Sequence, residues 1–232
     1  MLWGLKPVKQ QAAHGLATDR LRRSIQQGLF LPGERLASER KMAEQIGISR
    51  VTLREALSVL EAEGFVTIRR GAAGGAFVAT EEDLRQIMLN QYAAEPARAL
   101  RIEEYRAHAE PEAARLAAIR RSPADLKRID AAVEGLARAT TPGEIRQHEA
   151  AFHLSVAQAS GNPFFASSIE DALAGLVLPF PQGDAQREAQ TSMTLRASVA
   201  AAIQARRADA ACAAMEKVLV ASRDRAPKLS VA

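Results

Sequence analysis

Aromatic side chains are scarce in this chain, with one Trp, two Tyr and seven Phe among 232 residues. A core without large rings must be filled by small and branched side chains, and the frequent alanine favours helices that pack closely. Cysteine is scarcer still. Cys212 stands alone, which excludes an intrachain disulfide and points to a reducing, cytoplasmic setting. Its expected role is that of a small buried apolar residue. No apolar run approaches the length of a membrane span, so none is expected. The opening MLWGLKPVKQQ has neither the apolar core nor the cleavage-like end of a signal peptide. Trp3 within it could pack onto another domain or sit on an arm. The sequence shows no internal repeat and no long low-complexity tract.

What is present divides the chain in two. The length suits two domains better than one, with a boundary expected near residue 80, giving domains 1–80 and 81–232. Residues 1–80 hold 12 Lys/Arg against 7 Asp/Glu, a net of +5, while the remainder holds 19 against 20, a net of −1. The basic excess therefore sits in the first part, where it favours a polyanionic partner.

Residues 31–79, LPGERLASERKMAEQIGISRVTLREALSVLEAEGFVTIRRGAAGGAFVA, carry the strongest pattern. A helix across Leu16 to Gln27 precedes them, with Leu16, Leu21 and Ile25 near one face and Gly28 as its left-handed end. Pro32-Gly33 turns the chain. Ser38 caps a helix carrying Met42, Ala43 and Ile46, which Gly47 ends. Ser49 caps the next, whose Leu53, Leu57 and Leu60 recur on one face until Gly64. Phe65, Val66 and Ile68 begin a strand, GAAGG makes a tip, and Ala76 to Val78 return. With the leucines committed inward, Arg50 and Arg54 face outward one turn apart, where guanidiniums reach base edges or phosphates in a major groove. A merely solvated helix face is the alternative reading. The complete helix-turn-helix and the Arg69-Arg70-Gly71 wing favour double-stranded DNA.

The stretch LPGERLASERKMAEQIGISRVTLREALSVLEAEGFV resembles the N-terminal domain of GntR-family transcriptional regulators. The resemblance implies that Arg40, Ser49, Arg50, Thr52 and Arg54 contact an operator, with Arg70 and Gly71 at the wing tip near the minor groove. Val51 stands where some relatives carry Thr.

After Thr80 the pattern changes to helices, expected near 82–94, 98–121, 123–139, 143–160, 163–176, 187–207 and 208–224. Proline-led starts at Ser122-Pro123, Thr141-Pro142 and Asn162-Pro163, and a loop around Pro179 to Gly183, punctuate them. The expected fold is mainly α: a winged helix-turn-helix followed by an all-α bundle of six or seven helices. Two charged pairs at i, i+4 spacing, Arg106/Glu110 and Glu149/His153, share stripes with small apolar residues. Charge on a core-facing stripe is costly unless paired or used by a ligand. A solvated face or structural ion pair is the alternative for each. His108 and His148 lie off these stripes and read as surface or rim residues.

The segments RIEEYRAHAEPEAARLAAIRRSPADLKRI and HEAAFHLSVAQASGNPFF, with the alanine-rich terminal helices, resemble the FCD effector domain of FadR-type GntR regulators. That implies a bundle whose interior binds a small carboxylate metabolite, in many relatives on a divalent metal held by one acidic residue and three histidines. Here Glu149 and His153 match two of those positions, while Arg196 and Val218 fall on the others. Arginine stays protonated and valine has no donor atom, so no metal or other cofactor is expected. The effector residues implied are Arg106, Glu149, His153 and Arg196, with Arg196 holding a ligand carboxylate and Glu149 its intramolecular partner otherwise.

The expected function is a homodimeric, metabolite-responsive DNA-binding regulator, usually a repressor in this family, acting on a palindromic operator. An enzyme using Glu149 and His153 as an acid/base pair lacks a nucleophile or cofactor loop, and no catalytic residues are assigned. The alternative is an effector-independent DNA-binding or architectural protein whose helical domain only dimerises.

Overall fold

A computed structural model describes residues 13–71, 74–176 and 184–224. Trp3, the alanines at the wing tip and the loop from Pro179 to Gly183 lie outside the described residues. The first half comprises α1 (Ala13–Gln26), α2 (Glu39–Ile46), α3 (Arg50–Ala62) and an antiparallel pair, β1 (Val66–Arg69) and β2 (Gly75–Val78). The register sets Val66 opposite Val78 and Arg69 opposite Gly75. An isolated bridge joins Arg35 to Phe77 on the other edge of β2. This is the expected winged helix-turn-helix.

Capping decides where its helices begin. The Ser38 side chain accepts from Lys41 N and that of Ser49 from Thr52 N, each satisfying a donor the helix leaves open. Between α2 and α3 the chain reverses at Gly47, whose φ of 79 costs a glycine little. One correction concerns α1. Leu16 is 57% exposed, and the buried face is instead made by Ala17, Thr18, Leu21 and Ile25. Helical phase places Ala17 on the Leu21 side of the axis, and Leu16 one position earlier points away.

The described remainder is helical: α4 (Glu81–Ala94), α5 (Pro96–Arg120), α6 (Pro123–Arg138), α7 (Pro142–Ala159), α8 (Pro163–Gly175), α9 (Ala185–Gln204) and α10 (Ala208–Asp224). Ser122 and Thr141 form capping boxes with Asp125 and Glu144, each ahead of a proline at the first helical position. Although α4 follows the expected boundary, it buries Leu84 and Met88 among Leu53, Leu57, Leu60 and Phe65. The winged helix thus carries its own cover into the second half.

The bundle core is alanine-rich. Ala114, Ala117, Ala118, Val156, Ala202 and Ala211 pack with Ile129, Phe152, Ile203 and Met215. Small side chains let axes approach, and α6 and α7 come so close that a Cβ on Gly135 would overlap the His148 ring. Cys212 is only partly buried, not the core residue expected. Ala211 and Met215 take the inward positions of α10 and leave Cys212 on the flank.

Candidate functional site

The apolar spacing of α3 fixes which side chains remain outside. Leu53, Ala56, Leu57 and Leu60 are buried, so Arg50, Val51 and Arg54 are exposed on the opposite side. Thr52 is half-buried, and its hydroxyl lies 2.8 Å from that of Ser49 at the helix N-terminus. Backbone N–H groups and the helix dipole make that end favourable to a phosphate. Arg54 Nε donates to Glu39 Oε2 at 2.7 Å, and Arg50 Nη2 stands 4.0 Å from the same oxygen. Arg40 Nη1 donates to Glu44 at 3.0 Å. Such exposed pairs stabilise by about 0–1 kcal/mol, so a polyanion can displace the carboxylates.

At the wing, Arg70 and Gly71 are exposed, and Gly71 has φ 102. Arg69 lies over the Phe77 ring at 4.4 Å. Arg35, from the loop before α2, donates through Nη2 to Gly74 O at 2.5 Å. The structure therefore groups Ser49, Arg50, Thr52 and Arg54 on α3, sets Arg40 beside Glu39 on α2, and leaves Arg70 and Gly71 on the wing. Arg35 and Glu39 were not singled out from the sequence. Arg35 lies in the loop after the Pro32-Gly33 turn and Glu39 in the first turn of α2, where neither belongs to an apolar spacing that would mark it.

The second constellation lies inside the bundle. Arg106 of α5 donates to Glu110 one turn on, and Glu110 also takes the Nδ1 side of His153 on α7. From α9, Arg196 Nη2 lies 3.1 Å from His153 Nε2, and Nη1 donates to Ser192 Oγ at 2.6 Å. Arg196 Nη1 is also 3.1 Å from Glu149 Oε1, to which Ser192 Oγ donates at 2.5 Å. All four expected effector residues thus belong to one network. Arg106, Glu110, His153 and Arg196 are buried, whereas the Glu149 side chain keeps 20% exposure. Arg106 borders a cavity of about 370 Å³ between α5 and α10, with Leu219, Val220 and Arg223 also in its wall.

One of the sequence readings changes here. His153 pairs with Glu110 across the α5–α7 crossing, while Glu149 meets Arg196, the intramolecular partner expected for it, and Ser192 across α7–α9. The helical i, i+4 spacing brought Arg106 to Glu110, but Glu149 and His153 each found a partner on another helix. Glu110 and Ser192 are therefore site members that the sequence reading left out; their tertiary partners lie 43 residues away, beyond any local spacing signal.

A guanidinium only donates, so His153 Nε2 accepts and the ring is neutral with its proton on Nδ1, donated to Glu110. Burial pushes the His153 pKa below its ordinary value, against the pull of Glu110. Burial alone would raise the Glu110 carboxyl, but Arg106 and His153 outweigh it and bring it down to about 2. Two guanidiniums and two carboxylates then balance, as burial of charge requires.

A metal of the kind implied by the family resemblance does not fit these residues. The His153 lone pair that would ligate it faces an Arg196 N–H, and Val218 presents buried hydrocarbon. Among the described residues no group of three His, Cys, Asp or Glu could hold an ion. His108 is exposed, with Nδ1 2.8 Å from Glu104 O, and His148 covers Gly135. His108 is the surface residue expected, whereas His148 is partly buried at the α6–α7 crossing, where its ring packs on Gly135.

Comparison with known proteins agrees with this fold and its division in two. Residues 16–78 match the gntR family of bacterial regulatory proteins, and residues 101–221 match the FCD domain. The putative L-lactate dehydrogenase operon regulatory protein of Escherichia coli K12 is 35% identical over 150 residues, 62% of this chain and 57% of that protein. The HTH-type transcriptional regulator LutR of Bacillus subtilis 168 is 35% identical over 147 residues, 60% of this chain and 64% of that protein. The chain thus spans about three fifths of the length of these curated relatives. In fold, E. coli McbR/YncC superposes with a TM-score of 0.53 at 19% identity, covering 93% of this chain and 97% of its own. Among the described residues no helix is long and apolar enough to cross a membrane. With its winged helix and more than half its length matched in order, the chain belongs to the gntR family of bacterial regulatory proteins and carries an FCD domain.

Proposed function

We propose that this protein is a cytoplasmic, homodimeric transcriptional repressor that a small carboxylate releases from a palindromic operator. The observation that carries the DNA half is α3, with Leu53, Leu57 and Leu60 buried beneath exposed Arg50 and Arg54. In this reading Arg50 and Arg54 leave Glu39 for base edges or phosphates. Ser49 and Thr52 hold a phosphate at the helix start, Arg40 contacts the backbone, and Arg70 with Gly71 follows the minor groove. Two half-sites need two copies at fixed spacing, and a ligand acts by shifting the population away from that spacing.

Arg196 supports the effector half. A ligand carboxylate takes the place of Glu149 on Arg196, forming charge-assisted bonds in a buried setting beside His153, with Arg106 linking the cluster to the neighbouring cavity between α5 and α10. The role is regulatory, not enzymatic. Both ring nitrogens of His153 are engaged, by Glu110 and Arg196, so the ring is not poised for proton transfer to a substrate. L-lactate is a natural first acid to test, because one relative bears the name of an L-lactate dehydrogenase operon regulator.

Operator fragments selected from random duplexes, then titrated with carboxylic acids, test the whole reading. An acid that raises the melting temperature and lowers operator affinity supports it; DNA binding indifferent to every acid defeats the effector half. The closed Arg196–Glu149 contact favours a second reading, in which the network is a structural ion cluster and the bundle only dimerises. A saturable melting shift separates the two.

A further inference from the structure

Two glycines mark a place where the halves of the molecule touch closely. Gly28 follows α1 with φ 76, and a Cβ there would stand 3.0 Å from the backbone N of Gln147 and 3.3 Å from its Cα. A Cβ on Gly143, in the first turn of α7, would stand 2.8 Å from Pro32 Cδ and 3.2 Å from its Cγ. Both approaches are closer than an alanine tolerates comfortably. Glycine inside a helix costs about 1 kcal/mol relative to alanine, so Gly143 serves the contact and not the helix. Arg146 lies between them and donates through Nη1 to Gln26 O at 3.1 Å, at the C-terminal end of α1. That end carries open carbonyls and partial negative charge, which suits a guanidinium.

The same helix runs directly into the charged cluster. Glu149 and His153 follow Arg146 by three and seven residues, about 5 and 10 Å along the axis at the usual rise. The described direct contacts elsewhere between the halves include Arg23 with Asp171 at 3.1 Å and Gln27 Nε2 with Glu170 O at 3.4 Å. Those end on α8, which contributes no member of the cluster.

We infer that α7 is the rod that transmits the state of the Arg196 cluster to the DNA-binding half, with Gly28, Gly143 and Arg146 as its coupling seam. Its purpose rests on the reading of that cluster as the effector site. Glu149 on Arg196 and His153 on Glu110 fix the rod at one end. At the other, Gly28 meets the Gln147 backbone and the stem of Arg146, and Gly143 meets the Pro32 ring. Close-packed contacts pass a small shift on instead of absorbing it. When Glu149 leaves Arg196 and Ser192, α7 keeps its His153–Arg196 bond to α9 but loses the tie nearer the seam, and the turn at residues 28–32 moves with it.

Hydrogen exchange on the full chain tests this without acid or DNA, so its failure is distinct from failure of the acid screen. Glu149→Gln should raise amide exchange across residues 26–33 by about fivefold, at the low end of ordinary coupling between sites. Glu216→Gln, an exposed change on α10, should leave those amides unchanged. Gly143→Ala, which pushes Pro32 away, should abolish the response to Glu149→Gln. Arg146→Met provides a second seam variant should the first fold poorly, and it should at least halve that response. Unchanged exchange at 26–33 in folded Glu149→Gln protein overturns the inference, as does a full response in both seam variants.

Discussion

Arg196 points a guanidinium N–H at the Nε2 of His153, 3.1 Å away, and both side chains are buried. That contact fixes the ring as a neutral acceptor and turns its other nitrogen toward Glu110. It also sets against the His153 lone pair a permanent cation, which on the proposed function takes the ligand carboxylate in place of a metal ion. The cluster then has two layers. Arg106 and Glu110 hold the ring from one side, and Glu149, the most exposed member, sits on the other.

Ligand binding should accordingly be independent of divalent metal. A carboxylic acid found by melting-temperature screening should bind with the same affinity with or without chelator. Arg196→Ala should weaken it more than His153→Ala, by about 2 kcal/mol or more, because a charge-assisted partner is removed. Calorimetry on variants with native circular dichroism gives both values. Stoichiometric zinc, nickel or manganese lost on mutation of His153 would show that this assignment is wrong.

Acid should destabilise the fold in two steps. The folded pKa of His153 lies below its unfolded value, so the unfolded chain takes up the proton first as pH falls through about 6.5. Its contribution is present above that pH and is lost below it. Glu110 falls from 4.5 to about 2 on folding, so its contribution is present above 4.5 and fades toward 2. Urea melts should give lower stability at about pH 5 than at pH 7, with a further fall below 4.5. His148 is also pushed down by burial, so the control is His153→Gln, which should flatten the first step partly. A first step of unchanged size in that variant removes His153 from the account.

Much of this was legible because it is local. Ser38, Ser49, Ser122 and Thr141 announce helix starts within four residues, and the caps form as read. The leucine spacing of α3 alone decides that Arg50 and Arg54 face out. The cluster was legible only in part. Arg106, Glu149, His153 and Arg196 share one network, but which acid serves which base depends on helix crossings that no spacing encodes. Ala-rich helices add to the difficulty, since nearly every face of α5 or α9 is apolar enough to turn inward. The affiliation of α4 was hidden for a similar reason: Leu84 and Met88 make a short apolar stripe that fits either core.

Arg54→Ala should reduce operator affinity by about 1–3 kcal/mol if the guanidinium reads guanine, while folding is unchanged. The exposed pair with Glu39 contributes too little to stability to confuse the result. Affinity should also fall steeply with salt as phosphates are neutralised and counterions released. Fluorescence anisotropy on a selected operator measures both, and equal affinities for variant and parent defeat the Arg54 assignment.

The full chain should be a dimer at micromolar concentration, since one recognition helix and one wing cover too little duplex for tight specific binding. Sedimentation gives the mass directly. A monomer in solution that binds one half-site with full affinity contradicts the two-fold reading.

Finally, α4 should be inseparable from the stability of the DNA-binding half. Leu84 and Met88 are 0% exposed and pack with Leu53, Leu57, Leu60 and Phe65, which also fix the outward face of α3. Leu84→Ala or Met88→Ala removes several buried methylenes from that small core and should destabilise it by about 2–5 kcal/mol. The bundle keeps its own core of Ile129, Phe152, Ile203 and Met215 and should melt nearly as before. Scanning calorimetry should then show the winged helix unfolding early, and operator binding should be lost at that lower temperature. A single transition displaced as a whole would mean that the two cores unfold as one unit. A chain begun at residue 96 leaves the bundle with none of this stripe, whereas one begun at 82 exposes Leu84 and Met88 to solvent and should aggregate more readily.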